Sequence, residues 1–168
     1  YGASTPDVDI DTYKDAVEAL AAIEPNKMVV GKQVHLQLKN HPALVDRIKY
    51  TQRAQMTPEL IASLLELDSY LVGRSIYTTT VEGTAEGSVT YTRIWGKHAL
   101  LAYTPGVPSL MTPAAGYTFV WQLVANALQW IKTMRNEERE VDIIEGNTFF
   151  AQKRTSARAG AFLENAVA

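Results

Sequence analysis

The sequence predicts an α+β fold in which helices come first and strands follow. In the N-terminal third, apolar residues recur three and four positions apart, which is the spacing of a buried helix face. From Tyr70 onward they tend to alternate with polar residues, as in strands. Helices followed by strands, rather than a regular alternation of the two, are typical of α+β folds and not of a parallel α/β sheet. The 168 residues suffice for one ordinary domain or two small lobes.

The first predicted helix runs from about Asp9 to Ile23 and carries an apolar and a polar face. Its acidic N-terminal residues suit the positive end of the helix dipole. Pro25 and Asn26 then interrupt the helical pattern. The predicted apolar face consists of Ile10, Tyr13, Val17, Leu20 and Ala21, and the polar face of Asp11, Lys14, Asp15 and Glu18.

A short strand and three further helical segments are predicted next. Lys27 to Gly31 is an apolar run closed by glycine, as in a buried strand. Lys32 to Leu38 has an ambiguous period that we interpret as helix, and Pro42 restarts a helical stretch in which Leu44, Val45 and Ile48 share a face. The clearest start is Thr57-Pro58-Glu59, which predicts a helix over about Pro58 to Glu66.

The remainder is predicted to be strands joined by polar loops. Val81 to Ser88 reads as a surface loop, and Thr104 to Gly116, with three prolines, cannot be regular throughout. Gly146-Asn147 predicts the turn of a hairpin between Arg139 to Glu145 and Thr148 to Arg154. The other extended segments are Tyr70 to Thr79, Val89 to Trp95, Ala99 to Tyr103, Tyr117 to Val124 and a last short element over Ala161 to Val167.

Composition excludes several classes of protein. Sixteen basic and eighteen acidic side chains give a net charge of -2, so no global field favours nucleic acid or an anionic membrane. The absence of cysteine excludes disulfides, thiolate metal sites and a thiol nucleophile. No apolar run approaches the roughly 20 residues that cross a bilayer. Because the chain begins at Tyr1 without methionine, we expect a processed product or a fragment of a longer protein.

No motif predicts a catalytic, cofactor or metal site. Asp7, Asp9 and Asp11 open a pattern similar to a calcium-binding loop, but Thr12 stands where that loop requires glycine, and helix-start acids explain them better. The histidines 35, 41 and 98 lack metal-ligand spacing, and serine-nucleophile and phosphate-loop motifs are absent from the sequence.

The last third gathers charged and aromatic residues. The adjacent Glu137 and Glu138 are interpreted as a solvated turn. For the basic residues we favour ion pairs within or between subunits over contact with nucleic acid, because acidic neighbours dilute their field. Tyr117, Phe119 and Trp121 share one strand face, where core packing is the usual meaning. The basic residues are Arg135, Arg139, Lys153, Arg154 and Arg158.

Taken in order, seven segments resemble the C-terminal half of tailed-phage major capsid proteins with the Hong Kong 97-like fold. Each segment alone is weakly specific, but their order and spacing cover nearly the whole chain. The segments are the helix ending near Ile23, PNKMVVG (Pro25 to Gly31), HPALVDRIKY (His41 to Tyr50), LVGRSIY (Leu71 to Tyr77), IWGKHALLAY (Ile94 to Tyr103), AGYTFVW (Ala115 to Trp121) and AGAFLENAV (Ala159 to Val167).

This resemblance implies a domain organisation. Residues 1–26 would be the end of the spine helix in the peripheral domain. Residues 27–134 would be the axial domain, and residues 135–168 would be strands returning to the peripheral domain. The family's N-terminal arm and E-loop have no counterpart in this sequence.

The resemblance also implies a function. The chain would be a non-enzymatic structural subunit, without cofactors, that assembles with identical subunits into hexamers and pentamers of an icosahedral, DNA-containing shell. It would be made in the bacterial cytoplasm and reside in the virion, with scaffold, portal or decoration proteins as further partners and at most non-specific contact with DNA. The expected intersubunit residues are Glu82, Gly83, Glu86, Gly87, Pro105, Pro108, Arg135, Arg139 and Arg154.

Two alternatives remain open at this point. A cellular, encapsulin-like shell protein shares the fold but packages enzymes. A small ligand-binding or hydrolytic α+β domain would need convergent polar groups in a pocket, for example a cavity lined by His98 and acids.

Overall fold

The structure is a computed structural model that describes residues 5–49, 56–109, 111–121 and 129–167. Two compact units divide the chain. The first unit comprises Tyr1–Ala115 together with Ser156–Ala168, and the second unit comprises Gly116–Thr155.

Helices and strands are both present, which confirms the predicted mixed α+β class. The helices are α1 (Pro6–Ala21), α2 (Lys32–Lys39), α3 (Pro42–Ile48) and α4 (Pro58–Leu64). The strands are β1 (Lys27–Gly31), β2 (Ser69–Gly73), β3 (Ile76–Thr78), β4 (Tyr91–Arg93), β5 (Ala99–Ala102), β6 (Gly116–Val120), β7 (Gln129–Asn136), β8 (Val141–Thr148), β9 (Phe150–Arg154) and β10 (Gly160–Leu163).

A four-stranded sheet with the order β10-β5-β1-β2 organises the first unit. Strands β1 and β2 run parallel, so the chain must return along the sheet between them, and α2, α3 and α4 lie in that connection. The β1–β5 pair and the β5–β10 pair are antiparallel. Val30 and Leu101, at the centre of the sheet, and Ile61 of α4 are fully buried. They belong to one cluster of buried apolar residues, which forms the core of the first unit.

The helix boundaries follow from their capping residues. Helix α1 begins at Pro6, earlier than predicted, because proline is favoured in the first turn. Helix α2 confirms the helical interpretation of its ambiguous pattern. Helix α4 starts as predicted, with the Thr57 hydroxyl accepting the Leu60 N–H at 3.3 Å. In α3, Leu44 and Ile48 are buried, whereas Val45 is exposed and not on the predicted buried face.

The predicted apolar face of α1 is partly wrong. Tyr13 and Leu20 are exposed, whereas Lys14, predicted on the polar face, is buried. The Lys14 ammonium donates to the Leu65 carbonyl at 3.1 Å and lies 2.8 Å from a Glu24 carboxylate oxygen. A buried lysine is tolerated here because both partners compensate its lost hydration.

The hairpin predicted around Gly146-Asn147 is wrong. Both residues lie inside β8, which pairs with β7 over eight residues, while β9 pairs with β6. The turn occupies residues 137–140, where the Asn136 side-chain oxygen accepts the Arg139 N–H at 3.2 Å and Glu140 has a φ of 52°. A long antiparallel register therefore outweighed the local Gly-Asn signal.

Candidate interaction surfaces

The first candidate surface is a projecting arm formed by β3, β4 and their connecting loop. Threonine hydroxyls order the loop: the Thr80 Oγ1 accepts the Thr90 N–H at 2.7 Å, and the Thr84 hydroxyl donates to the Val81 carbonyl at 2.7 Å. The predicted surface loop is confirmed, since residues 81–88 are all exposed. Of the expected intersubunit residues, this loop holds Glu82, Gly83, Glu86 and Gly87.

The arm also exposes apolar side chains near its base. Ile76 and Tyr77 of β3, Tyr91 of β4 and the adjacent Ile94 are each at least half exposed. A two-stranded ribbon with these exposed apolar side chains gains little stability from its own packing. The arm is therefore suited to contact another surface.

The second candidate surface is the loop from Thr104 to Ala115. Asn26 anchors its start, because the Asn26 side chain exchanges two hydrogen bonds of 2.9 Å with the Thr104 backbone. The Ala115 N–H donates to the Tyr103 carbonyl at 3.0 Å and closes the loop. Between these anchors Pro105 is half-buried and Pro108 exposed.

The third candidate surface is the second unit, which consists of two ribbons. Strands β6 and β9 form one, and β7 and β8 form the other. None of its described residues is buried. The prediction that Tyr117, Phe119 and Trp121 pack in a core is wrong for Phe119 and Trp121, which are exposed. Tyr117 is half-buried, and the rings of Trp121 and Phe149 meet edge-to-face at 6.0 Å. The described residues of this unit, 116–121 and 129–155, therefore present apolar groups at the surface.

The expected basic residues of the second unit lie in two different places. Arg135 is near the tip of the β7–β8 hairpin and binds Asp142 at 3.0 Å and Glu137 at 3.4 Å, as its interpretation as an ion-pair residue predicted. Arg139 is exposed in the turn, whereas Arg154 is exposed at the end of β9. The solvated turn predicted at Glu137 and Glu138 is confirmed.

Sequence reasoning missed the exposed aliphatic residues of the hairpin. Ile131 and Ile144 share one face, since Ile131 pairs with Gly146 and Thr133 with Ile144, and they are 76% and 73% exposed. The opposite face carries Met134, Val141 and Ile143. Apolar residues on both faces of a strand pair were the available signal, but the strands of the predicted hairpin began only at Arg139, so Ile131 and Met134 were assigned to no strand.

A cavity of about 920 Å³ lies in the first unit beside α1, α2 and β10. Its walls include Ile10, Met28 and Leu38, and its polar lining includes Asp9 and His41. His98, the residue that would have favoured a ligand-binding domain, does not line it. The His98 Nδ1 instead accepts the Asn165 N–H at 3.3 Å, and its ring packs on Phe162, which is a structural role.

The acidic start of α1 serves the fold. Asp7 is buried and forms an ion pair with Arg47 of α3, while Asp9 and Asp11 are exposed on the helix. In the described parts of the chain, histidine and acidic side chains form no group of three that could hold a metal ion. The described helices include none with the length and apolarity needed to cross a membrane.

His35 is the histidine with the most perturbed surroundings. Burial, followed by the nearby charges of Lys32, Lys39 and Arg74, lowers the pKa of His35 below its ordinary value of 6.5. Burial also raises the pKa of Tyr70, so its phenol stays protonated and can donate to the His35 Nδ1 at 3.3 Å.

We expect His35 to make the chain less stable at mildly acidic pH. Well above pH 6.5, His35 is neutral in both the folded and the unfolded state, so its contribution to the free energy of unfolding is fully present. As the pH falls below 6.5, unfolded His35 takes up a proton before folded His35 does, and the free energy of unfolding falls by at most about 1.4 kcal/mol per pH unit. Urea unfolding at pH 7.5 and 5.5 of the native chain and His35→Gln checks this. A stability difference between the two chains that is independent of pH would contradict it.

Comparison with solved structures shows that this fold occurs in another protein. A phage-related protein from Bordetella bronchiseptica RB50, known from its crystal structure, superposes with a TM-score of 0.79 and 23% identity, covering 97% of this chain and 52% of that chain. The chain therefore shares its fold and spans about half of its length.

Comparison with curated sequences adds a particular relative. The major capsid protein of Burkholderia phage BcepMu is 33% identical over 96 residues, which are 57% of this chain and 29% of that protein. No family model matches the chain.

Proposed function

We propose that this chain is a structural protein of a tailed bacteriophage or prophage: the C-terminal half of a major capsid subunit with the Hong Kong 97-like fold. The observation that carries the proposal is the 33% identity to a phage major capsid protein over 96 residues. The fold shared with a phage-related protein over 97% of the chain supports it independently.

The surfaces described above fit a shell subunit. A shell requires a rigid body with projecting ribbons and loops that meet neighbouring copies, and it requires no reaction centre. The first unit supplies a packed core, while the β3–β4 arm and the second unit present apolar side chains to the outside. We assign no catalytic or cofactor role to any residue.

We further propose where the chain belongs in such a subunit. Residues 1–26 would be the end of the spine helix, residues 27–134 the axial domain and residues 135–168 strands of the peripheral domain. Identical subunits in hexamers and pentamers would be its partners, and the virion its location. The loops holding Glu82, Gly83, Glu86, Gly87, Pro105 and Pro108 would meet neighbouring subunits, as would Arg135, Arg139 and Arg154.

The test is the mass and shape of the assembled protein. The product of the full-length gene and this 168-residue chain are expressed separately, then measured by light scattering after size exclusion and by negative-stain imaging. We expect closed shells or five- and six-fold rings from the longer product. A longer product that stays a small monomer would overturn the proposal and favour a ligand-binding role for the cavity beside α1.

A further inference from the structure

We propose that the β7–β8 hairpin of one copy binds the β6–β9 ribbon of a second copy of this chain. The proposal rests on the proposed function and adds to it which surface of one subunit meets which surface of the next. It follows from the exposure, shape and charge of the two ribbons.

The hairpin cannot be stable through its own contacts. An isolated two-stranded hairpin is at best marginally stable in water, and this one has apolar side chains on both faces. Ile131 and Ile144 are diagonal neighbours on one face and about three-quarters exposed. They form an aliphatic projection that another surface must cover.

The β6–β9 ribbon offers a concave apolar surface for such a projection. A depression of about 460 Å³ lies at the end of this ribbon, where β8 passes into β9. Trp121 and Phe150, which line it, are 65% and 61% exposed. Its lining consists of Phe119, Val120, Trp121, Thr148, Phe149, Phe150 and Ala151. An aromatic-lined depression of this kind suits aliphatic side chains such as isoleucine.

The two ribbons also carry opposite charges. Gln129–Thr148 contains three basic and five acidic side chains, a net charge of -2, whereas the paired strands β6 and β9 contain two basic and no acidic side chains, a net charge of +2. Glu138 and Glu140 at the hairpin tip form no ion pair with any described residue, and the same holds for Lys153 and Arg154. Complementary charge of this kind orients two surfaces on approach.

A second copy is the partner that these charges favour. Each copy carries both a hairpin and a ribbon, so the contact can repeat head to tail from copy to copy and close into a ring. The acidic tip of the hairpin would be repelled by DNA and by an anionic membrane. Neither of those surfaces explains the aromatic depression.

Exchanging the charges tests the contact in the full-length protein. E138K/E140K makes the hairpin basic, and K153E/R154E makes the ribbon acidic. We expect each variant alone to lower the assembled fraction about tenfold or more, because like charges then face each other. An equimolar mixture of the two variants should recover six-fold rings, because the variants can alternate around an even-numbered ring and opposite charges then meet at every contact. D15K/E18K, which adds the same charge on the exposed side of α1, is the control and should leave assembly unchanged.

The absence of cysteine allows a second test that does not depend on shells. Glu140→Cys in one chain and Lys153→Cys in another are mixed under mild oxidation. Each variant chain then has a single cysteine, so a disulfide between the two different variants must join the hairpin of one copy to the ribbon of another. We expect this heterodimer at least about tenfold in excess over the one formed by Asp15→Cys with Lys153→Cys.

The two experiments separate failure of this inference from failure of the proposed function. Assembly that persists in both charge variants, together with no excess of the hairpin-to-ribbon disulfide, overturns the inference and leaves the capsid proposal standing. An excess disulfide in a protein that forms neither rings nor shells supports the contact and overturns the capsid proposal. A hairpin that packs instead on another segment of its own chain gives no excess disulfide.

Discussion

Replacing Gly31 by alanine is expected to destabilise the first unit by about 3 kcal/mol or more, at the upper end of the range for overpacking. A β-carbon at this position would lie 2.1 Å from the Gly96 carbonyl oxygen and 3.2 Å from that of Trp95. Both are backbone atoms that cannot rotate away. Gly96 itself has a φ of 49°, a conformation that favours glycine at this turn.

The effect is large because Gly31 joins several elements. It ends β1, precedes α2, and donates its N–H to the His98 carbonyl at 2.9 Å. Its register partner is Gly73 of β2, where a β-carbon would lie 2.5 Å from the Trp95 ring. The two glycines thus make room for the Trp95-Gly96 turn, and a shift of this turn would disturb both β1 and β5.

Urea unfolding followed by circular dichroism at 222 nm measures this effect, because the described helices all lie in the first unit. The matched control is Gly106→Ala, since no atom lies within 4 Å of a β-carbon there and no positive φ is required. The control should change the free energy of unfolding by no more than about 0.5 kcal/mol. An equal effect of both substitutions would show that close packing at Gly31 is not the cause.

The sequence predicted those elements whose signals are local. The proline and hydroxyl at the start of α4, the glycine that ends β1 and the polar loop after Val81 each act within a few residues. The structure bears out all three. The helix-then-strand order, which set the fold class, is a property of the same local kind.

What the sequence did not predict depends on contacts distant along the chain. Lys14 is buried because Leu65 and Glu24 provide its partners, and periodicity alone assigns a lysine to the outer face. Gly146 and Asn147 are a good turn pair, but pairing with β7 places them within a strand. Local patterns do not contain the information that decides these cases.

The candidate surfaces were predicted unevenly for the same reason. The loop holding Glu82 and Glu86 was identified because its composition is polar and rich in glycine. The aliphatic pair Ile131 and Ile144 was not identified, because the sequence does not distinguish an exposed apolar residue from a buried one. For the same reason, Tyr117, Phe119 and Trp121 were predicted to pack in a core.

Replacing Leu101 by alanine should cost about 2–5 kcal/mol of unfolding free energy. Leu101 lies in the middle of β5, between Met28 of β1 and Ala161 of β10, and its side chain is fully buried. Alanine would remove the Cγ carbon and both Cδ methyl groups. Because β5 is flanked by β1 and β10, the sheet cannot close around the cavity that is left.

Leu71→Ala is the control that isolates burial, because Leu71 lies in β2 of the same sheet but is 53% exposed. It should cost less than about 1.5 kcal/mol, as only part of its apolar surface leaves water on folding. Both chains are compared by urea unfolding at pH 7.5, where His35 is neutral in the folded and unfolded states. If Leu101→Ala costs no more than Leu71→Ala, the sheet does not bury β5 as described.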